Sequence, residues 1–311
     1  NLQSLENTAF VSKPMESGMD KPQNIAILGL GLMGASLALA LKKRGCSGRL
    51  LGYARRETTR NQALQDGMFD EVFADPAECV GDADIVVACV PIWTIAKLAE
   101  EIVGALKPNA VVTDVGSTKS ELLKTLEPLF AGSKAFFVGS HPIAGSEKTG
   151  IEAGDPDLYE GRLTVVCPSD ETPAEAEQAV TGLWKSAGAE VVEMSPTAHD
   201  AMLASTSHLP HMVAAALARS VADGDPAGKA DFCGTGFKDT TRVASGSADM
   251  WVDIIDTNRT ALEAELDRFH EELQGLIHIL RSGNGDDIRQ WLEEAAATRN
   301  EMLKLNRFLK R

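Results

Sequence analysis

The stretch Asn24-Ile25-Ala26-Ile27-Leu28-Gly29-Leu30-Gly31-Leu32-Met33-Gly34 decides the fold. A short apolar run too brief for a helix leads into a GxGxxG turn, and the alanine- and leucine-rich segment after it has helical spacing up to about Gly45. In a strand–turn–helix unit of this kind the first glycine permits the tight turn. The second lets the backbone approach a pyrophosphate, and the third lets helix and strand pack closely. The helix N-terminus then offers unpaired N–H groups to the phosphates. Gly29, Gly31, Leu32, Met33 and Gly34 are therefore the expected dinucleotide-binding residues.

Outward from this turn, apolar runs alternate with amphipathic segments, the pattern of βα units that cover a parallel sheet. Strands are expected at 24–28, 49–54, 84–90, 110–115 and 135–139, with helices at 35–44, 93–106 and 119–130 between them. Two further runs, 163–167 and 190–194, are expected to extend the same sheet around a helix at 173–187. From Pro196 the strand pattern stops. One long helix is expected over 248–281, where Trp251, Ile254, Ile255, Leu262, Leu266, Phe269, Leu273 and Leu276 follow the three-and-four spacing of a single stripe. A second stripe covers 288–309, after a break at Gly283-Asn284-Gly285 with Asp286 as the expected cap. The fold class is thus α/β, a Rossmann-type doubly wound sheet followed by an all-helical domain. Residues 1–21 are expected to form a flexible leader, 22–195 the dinucleotide-binding domain and 196–311 the helical substrate and dimerisation domain.

Composition narrows the partners. A net charge of −15 over 311 residues argues against broad contact with nucleic acid or anionic membrane, both of which attract basic surfaces. The five cysteines are scattered without a CxxC pair, so neither a disulfide framework nor a zinc site is expected, and a reducing cytoplasm fits. No apolar run approaches the roughly 18 residues of a membrane span, and the N-terminus lacks the layout of a signal peptide.

Residues just beyond the strands are where ligands bind in such sheets. After the second strand the chain reads Tyr53-Ala54-Arg55-Arg56. An Asp or Glu there would hold a ribose 2′-hydroxyl, whereas paired guanidiniums suit a 2′-phosphate, so NADP is the expected cofactor, with NAD kept open by the nearby Glu57. Val115-Gly116-Ser117-Thr118-Lys119 and Gly139-Ser140-His141-Pro142 follow later strands. His141 there has the chemistry to take the proton of an alcohol as its hydride leaves, while Ser117 equally suits a helix cap. His208 and His211 share a helical face, but no further ligand completes a metal site.

These residues resemble the prephenate and arogenate dehydrogenases of tyrosine biosynthesis. The resemblance covers nearly all of 24–282 and rests on Asp114-Val115-Gly116-Ser117, Ser140-His141-Pro142-Ile143-Ala144-Gly145-Ser146-Glu147-Lys148-Thr149-Gly150, Ser207-His208-Leu209-Pro210-His211 and Gly236-Phe237-Lys238-Asp239-Thr240-Thr241-Arg242. It implies oxidative decarboxylation of a cyclohexadienyl substrate with hydride transfer to NAD(P). His141 is implied as the catalytic histidine and Ser117 as the hydroxyl that orients it. Arg242 is implied to hold a substrate carboxylate, with His211, Glu147 and Ser146 in the substrate pocket. His199, in the matching Ser195-Pro196-Thr197-Ala198-His199-Asp200 stretch, is read as a helix-packing or pocket-lining residue, with packing favoured. Prephenate is the favoured substrate on the strength of His211, while Arg55 pulls towards the arogenate enzymes that use NADP. A β-hydroxyacid dehydrogenase with Lys238 as its catalytic lysine and a non-catalytic dinucleotide sensor are the competing readings. The C-terminal stripes predict a homodimer.

Overall fold

A computed structural model describes residues 23–46, 48–146 and 148–308. Contacts divide the chain into two units, the first running to Leu203 and taking in Ser245–Asn258, the second made of Ala204–Ala244 and the residues from Arg259 onward.

The first unit opens with β1 (Ile25–Leu28), α1 (Leu32–Lys43), β2 (Leu50–Tyr53), α2 (Glu57–Gln65), β3 (Glu71–Phe73), α3 (Pro76–Val80), β4 (Ile85–Ala88), α4 (Ile92–Ile102), β5 (Val111–Asp114), α5 (Ser120–Ala131) and β6 (Phe136–Phe137). Their strands pair in parallel in the order β3-β2-β1-β4-β5-β6, which is the dinucleotide-binding order with its reversal between β1 and β4. Ile25, Ala26, Ile27 and Leu28 are all buried, as a strand covered by helices on both faces requires. Odd and even residues of β1 pack into different core clusters, one with α1 and one with α3, α4 and α5. Where helices need starts, local chemistry supplies them: Asp75 caps α3 by accepting from the N–H groups of Ala77 and Glu78, with Pro76 at a position that needs no N–H.

The second half of this unit departs from the sequence expectation. The run 135–139 is not one strand: after β6, Val138 is passed over and β7 (Gly139–Pro142) begins. Nor do the later runs extend the parallel sheet. β8 (Leu163–Cys167) pairs antiparallel with β7 and parallel with β9 (Glu190–Glu193), giving a separate three-stranded sheet with α6 (Ala174–Ser186) on the β8–β9 crossover. Apolar runs mark strands but do not say which edge they join. Here buried polar groups decide it, because Ser140 of β7 bonds to Thr113 and Asp114 at the end of β5. His141 consequently lies inside a strand and not in a loop beyond one. The unit is completed by α7 (Pro196–Leu203) and, from further along the chain, by α11 (Ala248–Thr257).

In the second unit a π-helical turn (Ala204–His208) leads into α8 (Leu209–Ala222), followed by α9 (Pro226–Ala230), α10 (Thr235–Thr241), α12 (Arg259–Ser282) and α13 (Gly285–Leu305). Pro210 falls in the first turn of α8, where its missing N–H is not needed, and His208 lies in the π turn before that helix. The expected single helix over 248–281 is two, divided at Asn258. That residue leaves helical geometry, and its buried side-chain amide donates to the Asp200 carbonyl at 2.8 Å. The cap of α13 is Asn284, which accepts from the Asp286 N–H, and not Asp286 itself.

Candidate active site

The glycine turn between β1 and α1 has the geometry its sequence implies. Gly29 sits at φ +104°, and a side chain there would collide with the Cys89 carbonyl at the end of β4. At Gly34 a Cβ would strike the Gly29 carbonyl, so helix and turn pack at a distance only glycine allows. Gly31 is different. A Cβ there meets nothing within 4 Å, so this glycine borders open space at the N-cap of α1. No side chain caps that helix and its first turn carries no acid, which leaves its N–H groups available to an anion. Leu32 and Met33 are half-buried. The Tyr159 hydroxyl donates to the Met33 carbonyl at 2.7 Å and the Asp155 N–H to Ser36 Oγ at 2.9 Å, clamping α1 from a loop that packs on it. These residues fit a bound dinucleotide phosphate.

Arg55 and Arg56 are exposed between β2 and α2, and among the described residues neither forms an ion pair. Arg60 holds the backbone there, donating to the carbonyls of Ala54 and Arg55 at 2.9 and 2.8 Å. The nearest acid in the chain, Glu57, points from the first turn of α2 and is exposed.

His141 is positioned by a buried polar scaffold. Asp114 ends β5 with both carboxylate oxygens engaged: Oδ1 accepts from the Ser140 N–H at 3.0 Å, and Oδ2 from the Gly116 N–H at 2.8 Å and from the Lys119 ammonium. Lys119 and Asp114 are both completely buried, and Lys119 Nζ also donates to the Ser140 carbonyl at 2.9 Å. Ser140 Oγ donates to the Asp114 carbonyl at 2.6 Å and accepts from the Trp184 indole at 2.9 Å. One ion pair thus ties β5 to β7 on either side of the residue preceding His141.

His141 itself is 9 % exposed, and its Nδ1 lies 2.9 Å from Nε2 of His199, which is fully buried in α7. The two rings meet edge to face. His199 Nδ1 lies 2.8 Å from Asp200 Oδ1, and the same carboxylate accepts the Lys119 N–H at Oδ1 and the Ser120 N–H at Oδ2, each at 2.8 Å. Asp200 therefore closes the N-terminus of α5. Burial would push its carboxyl up, yet the bonds from His199 and the two backbone N–H groups outweigh it and hold the group below its ordinary value of 3.8. Burial pushes the His199 imidazole below its ordinary 6.5, with the Asp200 bond opposing.

Other expected site residues have varied settings. Ser117 is half-buried in the β5–α5 loop, is not the cap of α5, and among the described residues has no hydrogen-bond partner. Ser146 is exposed, its Oγ accepting from the Lys148 N–H at 3.2 Å. Glu147 and the expected leader lie outside the described residues. In the helical unit His211 is buried in α8, and burial lowers its pKa below 6.5. Arg242 is exposed at the C-terminal end of α10, which packs on α8. The sequence reading missed His199 and Asp200 as partners of His141. Their only signal was an ionisable pair, His199-Asp200, at consecutive positions of one helix. Among the described residues no three His, Cys, Asp or Glu side chains gather to hold a metal ion, and no helix is long and apolar enough to cross a membrane.

Comparison with known proteins agrees with this fold. Residues 37–193 match the nucleotide-binding domain model of prephenate dehydrogenase and residues 195–294 its dimerization domain model. The chain is 33% identical over 280 residues to the cyclohexadienyl dehydrogenase of Zymomonas mobilis, covering 89% of this chain and 95% of that one. Among solved structures, prephenate dehydrogenase from Aquifex aeolicus, in complex with hydroxyphenyl propionate and NAD+, superposes with a TM-score of 0.85 at 32% identity, covering 91% of this chain and 99% of the other. The arogenate dehydrogenase of Synechocystis does so at 0.78 with 30% identity, covering 90% and 99%. A glycine turn that fits a dinucleotide phosphate, a buried histidine in the same unit, and two family models that account for most of the length lead to one conclusion: this chain belongs to the prephenate dehydrogenase family of NAD(P)-dependent oxidoreductases.

Proposed function

We propose that the protein catalyses the oxidative decarboxylation of prephenate to 4-hydroxyphenylpyruvate. The observation that carries this reading is His141, a buried imidazole locked at Nδ1 in the unit that holds the dinucleotide turn. A bound nicotinamide supplies the hydride acceptor. His141 takes the ring hydroxyl proton as hydride leaves the carbinol carbon, forming the ring carbonyl. The bond to the carboxylate then breaks with loss of carbon dioxide, its electron pair aromatises the ring, and His141 returns the proton to the phenolate oxygen. Atoms and charge balance with no net proton released. Ser117, half-buried on the loop after β5, is assigned to orient the hydroxyl and imidazole. Arg242 is assigned to a substrate carboxylate, for which its planar fork is suited, with His211, Glu147 and Ser146 lining the pocket.

Gly29, Gly31, Leu32, Met33 and Gly34 hold the pyrophosphate in this reading. The exposed Arg55 and Arg56 favour NADP through its 2′-phosphate, with NAD as the alternative. The functional boundary lies near residue 195, between the two family matches. The helical part is assigned to homodimerisation, in keeping with its dimerization-domain match and with the apolar residues that α12 and α13 leave exposed. Unpaired cysteines suit a cytoplasmic location. Arogenate, which differs by an amino group in place of the side-chain keto group, is the second reading, favoured by the same arginines.

The test is absorbance at 340 nm with prephenate and with arogenate, each against NAD and NADP. Turnover with prephenate, faster with NADP, is expected. Arg55→Ala combined with Arg56→Ala should erase the preference for NADP. Silence in all four assays from protein that binds a dinucleotide would overturn the reading.

A further inference from the structure

Beyond Ser117 and His141, two more residues act on the reacting proton. We propose that His199 and Asp200 form with His141 a buried imidazole–imidazole–carboxylate relay, in which His199 is the positioning residue that fixes which nitrogen of His141 is basic. The inference rests on the reading of His141 as proton acceptor and extends it.

The hydrogen bonds dictate the direction. Asp200 accepts from the backbone N–H groups of Lys119 and Ser120, and its carboxyl is held below the ordinary 3.8, so it is ionised near neutral pH and acts as an acceptor towards His199 as well. His199 Nδ1 therefore carries a hydrogen and donates to Asp200 Oδ1. Full burial keeps His199 neutral, so its Nε2 bears a lone pair. The 2.9 Å contact can then form only if His141 Nδ1 is the donor, which makes Nε2 the basic nitrogen of a neutral His141. When that Nε2 takes up a proton, the new positive charge is met across the His199 ring by a carboxylate. Asp200 in turn is held at the N-terminus of α5, where a helix end stabilises negative charge. The Lys119 ammonium is engaged by Asp114 and the Ser140 carbonyl. Besides Asp200, Lys119 and Asp114 are the charged groups that bear on His199: Lys119 opposes its protonation and Asp114 favours it.

Two measurements test the relay. Long-range 1H–15N correlation on histidine-labelled protein at about pH 8 should find Nδ1–H and unprotonated Nε2 for both His141 and His199. An Nε2–H signal from His141 overturns the proposal without recourse to activity. In kinetics, His199→Leu removes the acceptor and should lower kcat about 10²-fold, with KM changed less than about threefold and dinucleotide binding unaltered. The acid limb of kcat should move to lower pH, because the imidazolium of His141 has lost its support. His199→Gln, whose carboxamide oxygen can accept from His141 Nδ1, should recover most of the rate. A purely structural His199 would instead weaken dinucleotide binding in both variants and leave the limb in place. His141→Asn separates the two levels. If it keeps full turnover, the proton-acceptor reading itself fails. If it is inactive while His199→Leu matches the wild type in rate and pH profile, only the relay fails.

Discussion

The two units of this chain bury their apolar residues to different extents. In the first, β1, β4 and β5 are buried residue for residue, and polar side chains such as Asp114, Lys119, Ser140 and His199 are enclosed with their bonds satisfied. In the second, α12 has a single buried residue, Leu262, and α13 none, while Leu280, Leu292 and Met302 are each more than half exposed. Both helices nonetheless carry apolar residues at helical spacing. An enclosed unit specifies itself from within, through ion pairs and hydrogen bonds that tolerate no alternative partner. If a second copy covers the exposed stripes of the other unit, the stability of that unit depends on concentration. The difference is sharpened by disturbing each unit in the currency it uses.

The largest effect is expected in the enclosed unit. Lys119→Met leaves the Asp114 carboxylate buried with two N–H donors but no counter-charge, a situation that costs about 3–5 kcal/mol. Denaturant unfolding of the variant should show that loss. The double variant Lys119→Met with Asp114→Asn removes both charges and should recover a large part of it. A single variant as stable as the wild type would mean that the ion pair does not hold β5 to β7.

This asymmetry also explains what could be read from the sequence. The glycine turn was legible because its chemistry is local: Gly29, Gly31 and Gly34 are fixed by steric demands within one strand–turn–helix unit, and β1, β2, β4 and β5 announced themselves as apolar runs, whereas the three-residue edge strand β3, with only Val72 and Phe73 apolar, was missed. The surroundings of His141 were not, because they come from four separated segments, β5, the start of α5, β7 and α7. Nothing in the residues near Lys119 says that its amine is buried against Asp114, and nothing near His199 says that it meets a histidine 58 positions away. The strands β8 and β9 were found but set in the wrong sheet, since an apolar run does not name its neighbour. The break at Asn258 escaped because the apolar spacing continues across it; the cause is a tertiary hydrogen bond to the Asp200 carbonyl.

A smaller effect is expected when the outward-facing unit is disturbed. Leu280→Glu and Leu292→Glu place charges on exposed positions of α12 and α13, so neither should change the fold of the single chain, which circular dichroism can verify. If these stripes meet a second copy, each substitution should weaken association about tenfold or more, equivalent to about 1.4 kcal/mol, as read by sedimentation over a range of concentrations. Unchanged association would remove the stripes from the interface and leave the contrast between the units one of exposure alone.

The smallest effect cuts across both units, because each encloses one histidine whose pKa is pushed below 6.5 by burial, His199 in α7 and His211 in α8. The sign follows from proton counting. Below pH 6.5 the unfolded chain protonates these imidazoles while the folded chain resists, so the unfolded state binds more protons and stability falls as pH drops. Above 6.5 neither state is charged at these positions and they contribute no slope. Each histidine can add at most about 1.4 kcal/mol per pH unit, a gentle decline beside the loss of the ion pair. Asp200 adds a second window with the opposite displacement: its carboxyl is held below 3.8, so its stabilising contribution is intact above that value and disappears as pH falls beneath it. Thermal melts between pH 8 and 3 should therefore show a plateau, a shallow fall beginning near 6.5, and a steeper one in the range of the carboxylates. Replacing His211 by Gln should flatten the first fall without touching the second. If the fall near 6.5 persists in full in that variant and in His199→Gln alike, the acid sensitivity belongs to neither buried imidazole and must be sought among the exposed charges.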